Sequence, residues 1–327
     1  MKKPEITVVS LNPCMDWQYT VPSFKYGGLN RVNRTYSGVS GKGINVCKAL
    51  KNLGLDPLCV GFNFTKNGAV LTETLDAHGI RYDFVDVNRE IRVNIKLYDE
   101  STGLMTEINQ PGEFVNNEAQ LKLSRKINDL ASNGHSADDI LIISGSLPKN
   151  VKETFYADLC ALWPGKTIVD TDGEALRQIL KNIYSRPFVI KPNLFELEST
   201  FGVKLKTPVE IVKFCREKLS DVYYSCISMG ADGVVFVSPS AAYYYPALKI
   251  KAKGLQGAGD AMVAGLVYGM ANNLPEEDIL LTAVAAATAT ITLEGTKMCT
   301  RKVFETMLAK TSLDFLHILA IADTIPR

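Results

Sequence analysis

The 327-residue chain is poor in histidine, has no paired cysteine motif and carries no apolar run long enough to span a bilayer. Its three histidines, His78, His135 and His317, sit in no catalytic context, so a Ser-His-Asp nucleophile is excluded and structural or surface roles are expected. The seven cysteines (Cys14, Cys47, Cys59, Cys160, Cys215, Cys226 and Cys299) are odd in number and scattered, with no C-x-x-C. That pattern argues against a zinc site or a disulfide frame and fits reduced thiols in a cytoplasm. The longest apolar stretch, Ile279 to Leu293, is short of a membrane span, carries several threonines and follows Glu276, Glu277 and Asp278; it is expected to be a buried helix. The first residues, MKKPEITVVSLN, hold two lysines but no extended apolar core, so no signal peptide is expected. Lys+Arg number 36 against 35 Asp+Glu, a net charge of +1. This balance argues against a nucleic-acid surface but leaves room for a local basic pocket.

What the chain does have is core material: 46% of its residues are apolar. Short β-branched runs, EITVVSL (5–11), LCVGF (58–62), ILIIS (140–144), TIVD (167–170), FVIK (188–191) and YSCISM (224–229), read as buried strands. Helical patterns at 43–53, 68–78, 117–132, 151–162, 173–183 and 207–219 separate most of them. The alternation predicts an α/β fold with a mainly parallel sheet and helices on both faces. Residues 17–37 and 91–109 break the rhythm and look like inserted antiparallel strands, the second a hairpin around Ser101–Gly103. Together they would form a small sheet over one edge of a single unit covering residues 1–327. No repeat or linker divides the chain.

Two glycine turns open helices. GVSGKG from Gly38 has the wrong spacing for a Walker A loop, and GAGDAM has Met262 where a dinucleotide fingerprint needs its third glycine. A different physical reading fits Gly257, Ala258 and Gly259. Small residues let consecutive backbone N–H groups point one way at a positive helix terminus, which holds an anion without a lysine. Asp260 beside that hole could take the proton of an attacking hydroxyl, or could simply cap the helix. In the other turn, Gly41 and Gly43 would let a ligand touch backbone, with Lys42 facing a phosphate and Asn45 a hydroxyl; the bland reading is a turn with a surface lysine. Asp16 follows the first strand, where open α/β sheets bind ligands, and could hold two sugar hydroxyls; Asn-Pro turn chemistry is the alternative. Asn193 and Glu196 lie one helical turn apart and suit Mg²⁺ through water, or form a capping box. SMGADGVVF (228–236) is a strand, a turn and a strand that could line a nucleotide or be no more than a tight turn. Arg31, Arg92 and Lys96 fall in the lid-like segments, as substrate-phosphate partners or as solvated charges.

In their order, the strings LNPCMD, GLNRV, SGKGINV, IRVNIKL, TEINQPG, SGSLP, KPNLFELE, SMGADG and GAGDAMVAG resemble the ribokinase-like sugar kinases, the phosphofructokinase B family, from about Leu11 to Thr296. The nearest branch is that of 1-phosphofructokinase and tagatose-6-phosphate kinase. The resemblance implies a three-layer α/β/α domain with a small β-sheet lid that often makes a dimer contact. It implies ATP-dependent phosphorylation of a ketose monophosphate, with Mg²⁺ and a monovalent cation such as K⁺. By position it implies Asp260 as base; Gly257, Ala258 and Gly259 as anion hole; Asp16, Gly41 and Asn45 as sugar contacts; and Lys42, Arg92 and Arg31 as contacts to the sugar's existing phosphate. Asn193 and Glu196 would order Mg²⁺, with Lys191, Ser228, Gly230 and Gly233 on the nucleotide side. Four places depart from the family pattern: Ser40 for a glycine, Phe64-Thr65 for Gly-Gly, Asp172-Gly173 for Ser-Gly, and Gly254-Leu255-Gln256 for Ser/Asn-Thr-Val. Phe64 and Leu255 motivate an alternative, a diverged sugar-phosphate or nucleotide binder with little catalysis; a dinucleotide oxidoreductase is a more distant one.

Overall fold

Each buried run of β-branched residues becomes a strand, and most amphipathic stretches between them become helices. The computed structural model describes residues 3–132, 136–254, 256–295, 297–313 and 319–320. His135, Leu255, Thr296 and His317 lie outside the described residues. The strands are β1 (Ile6–Ser10), β2 (Cys14–Val21), β3 (Arg34–Ser40), β4 (Pro57–Phe64), β5 (Arg81–Val87), β6 (Arg92–Asp99) and β7 (Leu104–Asn109). They continue as β8 (Ile140–Ser144), β9 (Lys166–Asp170), β10 (Val189–Ile190), β11 (Tyr224–Ser228), β12 (Val234–Val237), β13 (Ala242–Tyr245) and β14 (Leu319–Ala320). The helices are α1 (Lys42–Asn52), α2 (Ala69–Ala77), α3 (Asn117–Ser132), α4 (Phe155–Leu162) and α5 (Gly173–Lys181), then α6 (Leu194–Phe201), α7 (Pro208–Lys218), α8 (Ala258–Ala271), α9 (Glu276–Ile291) and α10 (Arg301–Leu313).

The large sheet has the order β14-β13-β12-β11-β10-β9-β8-β1-β4-β5. From β5 to β11 all pairs are parallel, and β12 to β14 complete the edge antiparallel. One helix layer runs α1–α8–α9–α10 and the other α3–α4–α5–α6, so the architecture is three-layered. α9 is buried along most of its length, as expected for the Ile279–Leu293 run. The seven cysteines are free and buried, and among the described residues no helix is long and apolar enough to cross a membrane.

The small sheet has the order β3-β2-β6-β7. It is wider than 17–37 and 91–109 implied, since β2 starts at Cys14 and β3 ends at Ser40. It is also not wholly antiparallel: β2 and β6 pair in parallel, with Asp16 opposite Asn94. The reason is topological. β2 follows β1 and β6 follows β5, and β1 and β5 run the same way, so their continuations do too. The lid also inverts the usual polarity of a half-buried sheet. Asp16, Asn94 and Lys96 are buried on its inner face. Trp17, Ile95 and Ile108 line up across three strands on the other face, where Ile108 is 59% exposed.

α8 and α9 approach so closely that a Cβ on Gly265 would lie 2.4 Å from the Thr282 carbonyl oxygen. The Thr282 hydroxyl donates to the Gly265 carbonyl at 3.0 Å. Gly265→Ala is therefore expected to cost about 2 kcal/mol through overpacking, read as a lower urea midpoint and a lower Tm.

Candidate active site

In a parallel sheet the carboxyl ends of the strands gather polar residues, because the chain leaves the apolar layers there. Here β1, β8, β9 and β11 end at Ser10, Ser144, Asp170 and Ser228, and β10 runs directly into Lys191. A cavity of about 340 Å³ opens between this edge and the lid. Ser10, Asn12, Lys42, Arg92, Asn94 and Glu196 are among the residues that line it.

At its floor is a compact ion cluster. Asp170 is fully buried, and its Oδ1 lies 3.2 Å from Lys191 Nζ and 3.3 Å from Lys42 Nζ. Burial alone would raise the Asp170 pKa, but the two ammonium groups outweigh it and hold the carboxyl below its ordinary value. Lys42 also reaches Glu196 Oε1 at 3.2 Å. Burial works against its charge, yet Asp170, Glu196 and Asp260 together hold the ammonium above the ordinary lysine value. Asp170 was not singled out from sequence. The available signal was a charged residue closing the apolar run TIVD at the binding edge of the sheet.

Asp260 is not a cap. Gly257 is the N-cap of α8, in the left-handed region at φ 73°, with no side chain bonding the first N–H groups. Amides without a capping side chain at a helix start are the kind of group that can bind an anion. Asp260 sits one turn in, 7% exposed, and its Oδ2 accepts from Asn45 Nδ2 at 2.8 Å. Burial first, then the neighbouring Asp170, push its pKa up to about 6, while Asn45, Lys42 and Lys191 restrain the rise. Lys191 Nζ lies 3.2 Å from where a Cβ on residue 259 would stand, so the lysine borders the glycine loop. Gly41 is the N-cap of α1, and its carbonyl accepts from the Asn45 N–H, which sets Asn45 facing α8. Ser40, one of the departures, is buried with its hydroxyl 3.3 Å from Asn45 Nδ2.

Asp16 lies within lid strand β2 and not at the end of β1 as the spacing suggested, because the chain enters the lid directly after β1. Its carboxylate accepts from Lys96 Nζ at 2.6 Å, Asn94 Nδ2 at 3.0 Å and the Cys14 thiol at 3.3 Å. Burial and the adjacent Asp16 push that thiol up to about 12, so it remains a donor. Arg92 is fixed by the carbonyls of Asn12 and Gln110 and by Asn94 Oδ1, and it lines the cavity. Arg31 stands exposed on the β2–β3 loop with no ion pair among the described residues. Phe64 is 1% exposed, so it belongs to the core and does not crowd a substrate surface.

The capping-box reading of Asn193 and Glu196 holds: Asn193 Oδ1 accepts from the Glu196 N–H and Glu196 Oε2 from the Asn193 N–H, both at 2.8 Å. The cap aims Glu196 Oε1 at Lys42, so Glu196 and Asp170 both present oxygen to one cationic point. Ser228 bridges to Asn193, and Gly230 and Gly233 bracket a 3₁₀ turn between β11 and β12. His78 bonds the Thr74 carbonyl at the exposed end of α2, away from any such cluster.

The pfkB family carbohydrate kinase model matches residues 5–302. The 1-phosphofructokinase of Borreliella burgdorferi is 34% identical over 95% of this chain and 99% of its own length. A tagatose-6-phosphate kinase of Staphylococcus epidermidis is 29% identical over 84% of this chain and 88% of its own. Among solved structures, Escherichia coli phosphofructokinase-2 in complex with substrates and products superposes with a TM-score of 0.87, at 26% identity over 94% of this chain and 99% of that one. A buried aspartate at a glycine-rich helix start, a paired-lysine floor and a β-sheet lid therefore occur in a chain that belongs to the pfkB family of carbohydrate kinases.

Proposed function

We propose that the chain, acting as one unit of core and lid, moves the γ-phosphoryl group of ATP to a hydroxyl of a ketose monophosphate. The observation that carries this reading is Asp260: a buried carboxylate with a pKa of about 6, held by Asn45 at 2.8 Å beside uncapped helix amides. Such a group is ionised at neutral pH yet basic enough to take a hydroxyl proton. The amides of 257–259 and the ammonium of Lys191 receive charge that develops on the transferring group. Lys42 and Arg92 at the cavity favour an acceptor that already carries a phosphate. Arg31 is assigned to the same phosphate only by the family pattern. Asp16, Gly41 and Asn45 orient the sugar, and the lid keeps water from competing as acceptor.

Ser228, Gly230 and Gly233 take the nucleotide side with Lys191. The family pattern assigns Mg²⁺ to Asn193 and Glu196; Glu196 Oε1, with Asp170 nearby, would offer oxygen to the ion, partly through water, and the ion pairs both carboxylates make with Lys42 support a preference for positive charge there. When bound, Mg²⁺ neutralises phosphate charge. A monovalent cation is assigned beside the loop by the family pattern, and the carbonyls of Leu293 and Gly295, each 3.5 Å from where a Cβ on Gly254 would stand, are oxygen donors nearby that support it. The buried free thiols suit a reducing cytoplasm. The apolar outer face of the lid, with Trp17, Ile95 and Ile108 in register, supports a homodimer through the lids.

Release of ADP over fructose 1-phosphate, tagatose 6-phosphate, fructose 6-phosphate and the free sugars tests the reading. Ligand-induced stabilisation without ADP release would mark a binding protein instead. Asp260→Asn is expected to lower kcat by about 10²–10⁴-fold with nucleotide binding retained; near-normal turnover would remove the assigned base. In the wild type, kcat/KM should fall as pH drops through about 6, where Asp260 gains its proton. Because the Asn45 hydrogen bond restrains that pKa, Asn45→Ala should move the acid limb to higher pH, as a pH–rate profile would show. Ile108→Lys should shift sedimentation from dimer to monomer.

A further inference from the structure

Gln256 occupies a position where the family pattern carries an apolar residue, immediately before the N-cap glycine of α8. Its side chain is held from the lid. Oε1 accepts from Lys96 Nζ at 2.7 Å, and Nε2 donates to Glu107 Oε1 at 3.4 Å. Lys96 and Glu107 are direct partners across β6 and β7, so two lid strands converge on this one amide. Lys96 is 7% exposed, and its ammonium also lies 2.6 Å from Asp16 Oδ2. Hydrogen bonds therefore run unbroken from Asp16, the lid carboxylate assigned above to the sugar, through Lys96 to the residue just before the 257–259 loop.

We propose that Lys96 and Gln256 are a positioning pair that seats the lid on the anion-binding loop, so that the sugar side and the phosphoryl side of the site are aligned together. The proposal rests on the kinase reading above and adds to it the link between lid and loop. Neither residue touches the reacting atoms; each acts through a neighbour, Asp16 on one side and Gly257 on the other. A charged donor to a buried amide oxygen makes a short and directional bond. The carbonyl end of Gln256 can take it where an aliphatic side chain cannot. An ammonium left with one partner fewer in a buried seat would draw water toward it. On the kinase reading, water admitted by a loosened lid would rival the sugar hydroxyl as acceptor.

The test uses Gln256→Leu, Lys96→Met and the double variant in the full chain, with ATP and whichever ketose phosphate the wild type phosphorylates. Gln256→Leu is expected to lower kcat about 10- to 100-fold through misalignment while leaving the KM for ATP within about twofold. It should also raise ADP release above one per sugar bisphosphate formed, as water replaces the sugar hydroxyl as acceptor. The double variant should be no worse than Lys96→Met. A second measurement needs no turnover: in the ligand-free protein, Gln256→Leu should speed amide hydrogen exchange in 256–259 and in lid residues 92–109 together. Wild-type kcat with one-to-one stoichiometry in Gln256→Leu, or faster exchange confined to 256–259, overturns the pair. A wild type that phosphorylates no ketose phosphate defeats the kinase reading, and the exchange result then decides the link by itself.

Discussion

The site depends on one buried charge, the carboxylate of Asp170 held between Lys42 and Lys191. Taking ionised groups out of water is costly unless they satisfy one another; Asp170 and Lys191 are buried, while Lys42 keeps about a third of its side chain exposed, 35%. Here Lys42 comes from α1, Lys191 from the end of β10, and Asp170 from the end of β9. The cluster thus fixes α1 and the end of β10 to the centre of the sheet. Removing either lysine would leave a buried carboxylate underneutralised; removing the carboxylate would leave two like charges at the cavity floor.

The same cluster sets the proton affinity of Asp260. Asp170 acts on it as a neighbouring negative charge, while the two lysines and the Asn45 amide act in the opposite sense. The result is a carboxylate displaced toward neutrality yet still ionised at neutral pH. A single point charge could not give that balance, because a lone lysine beside Asp260 would depress its basicity. Asp170 acts on Asp260 in the opposite sense to the two lysines. The start of α8 beside Asp260 carries no side-chain cap.

Much of the fold was legible because a parallel sheet buried on both faces leaves a plain record of apolar runs. The lid segments were visible as breaks in that rhythm. Their parallel β2–β6 pairing was not, since pairing between distant strands depends on how β1 and β5 lie in the sheet. In the site, Gly257 to Asp260, Lys42 and Asn45 carry local signals, a glycine turn and a helix start. Asp170 carries almost none: a single acid ending a strand reads like any polar strand terminus until Lys42 and Lys191 arrive from residues far along the chain. Gln256 was noticed only as a departure from a family pattern, because its partners sit on strands of the lid. Asn193 and Glu196 form the capping box, which engages the Asn193 amide oxygen and one Glu196 carboxylate oxygen and leaves only Glu196 Oε1 facing the cluster.

The split placement of the lid along the chain bears on how the protein is made. β2 and β3 leave the ribosome long before β6, the strand that must lie between β2 and β7. Until then Trp17 and Tyr19 belong to an incomplete ribbon whose free edge and greasy side both lie open. Completion of the lid within one molecule still leaves Ile108 on that side exposed. Newly synthesised chains therefore pass through a window in which this small sheet is the adhesive part of the molecule, and chaperone capture or slow translation over residues 40–90 would matter most there.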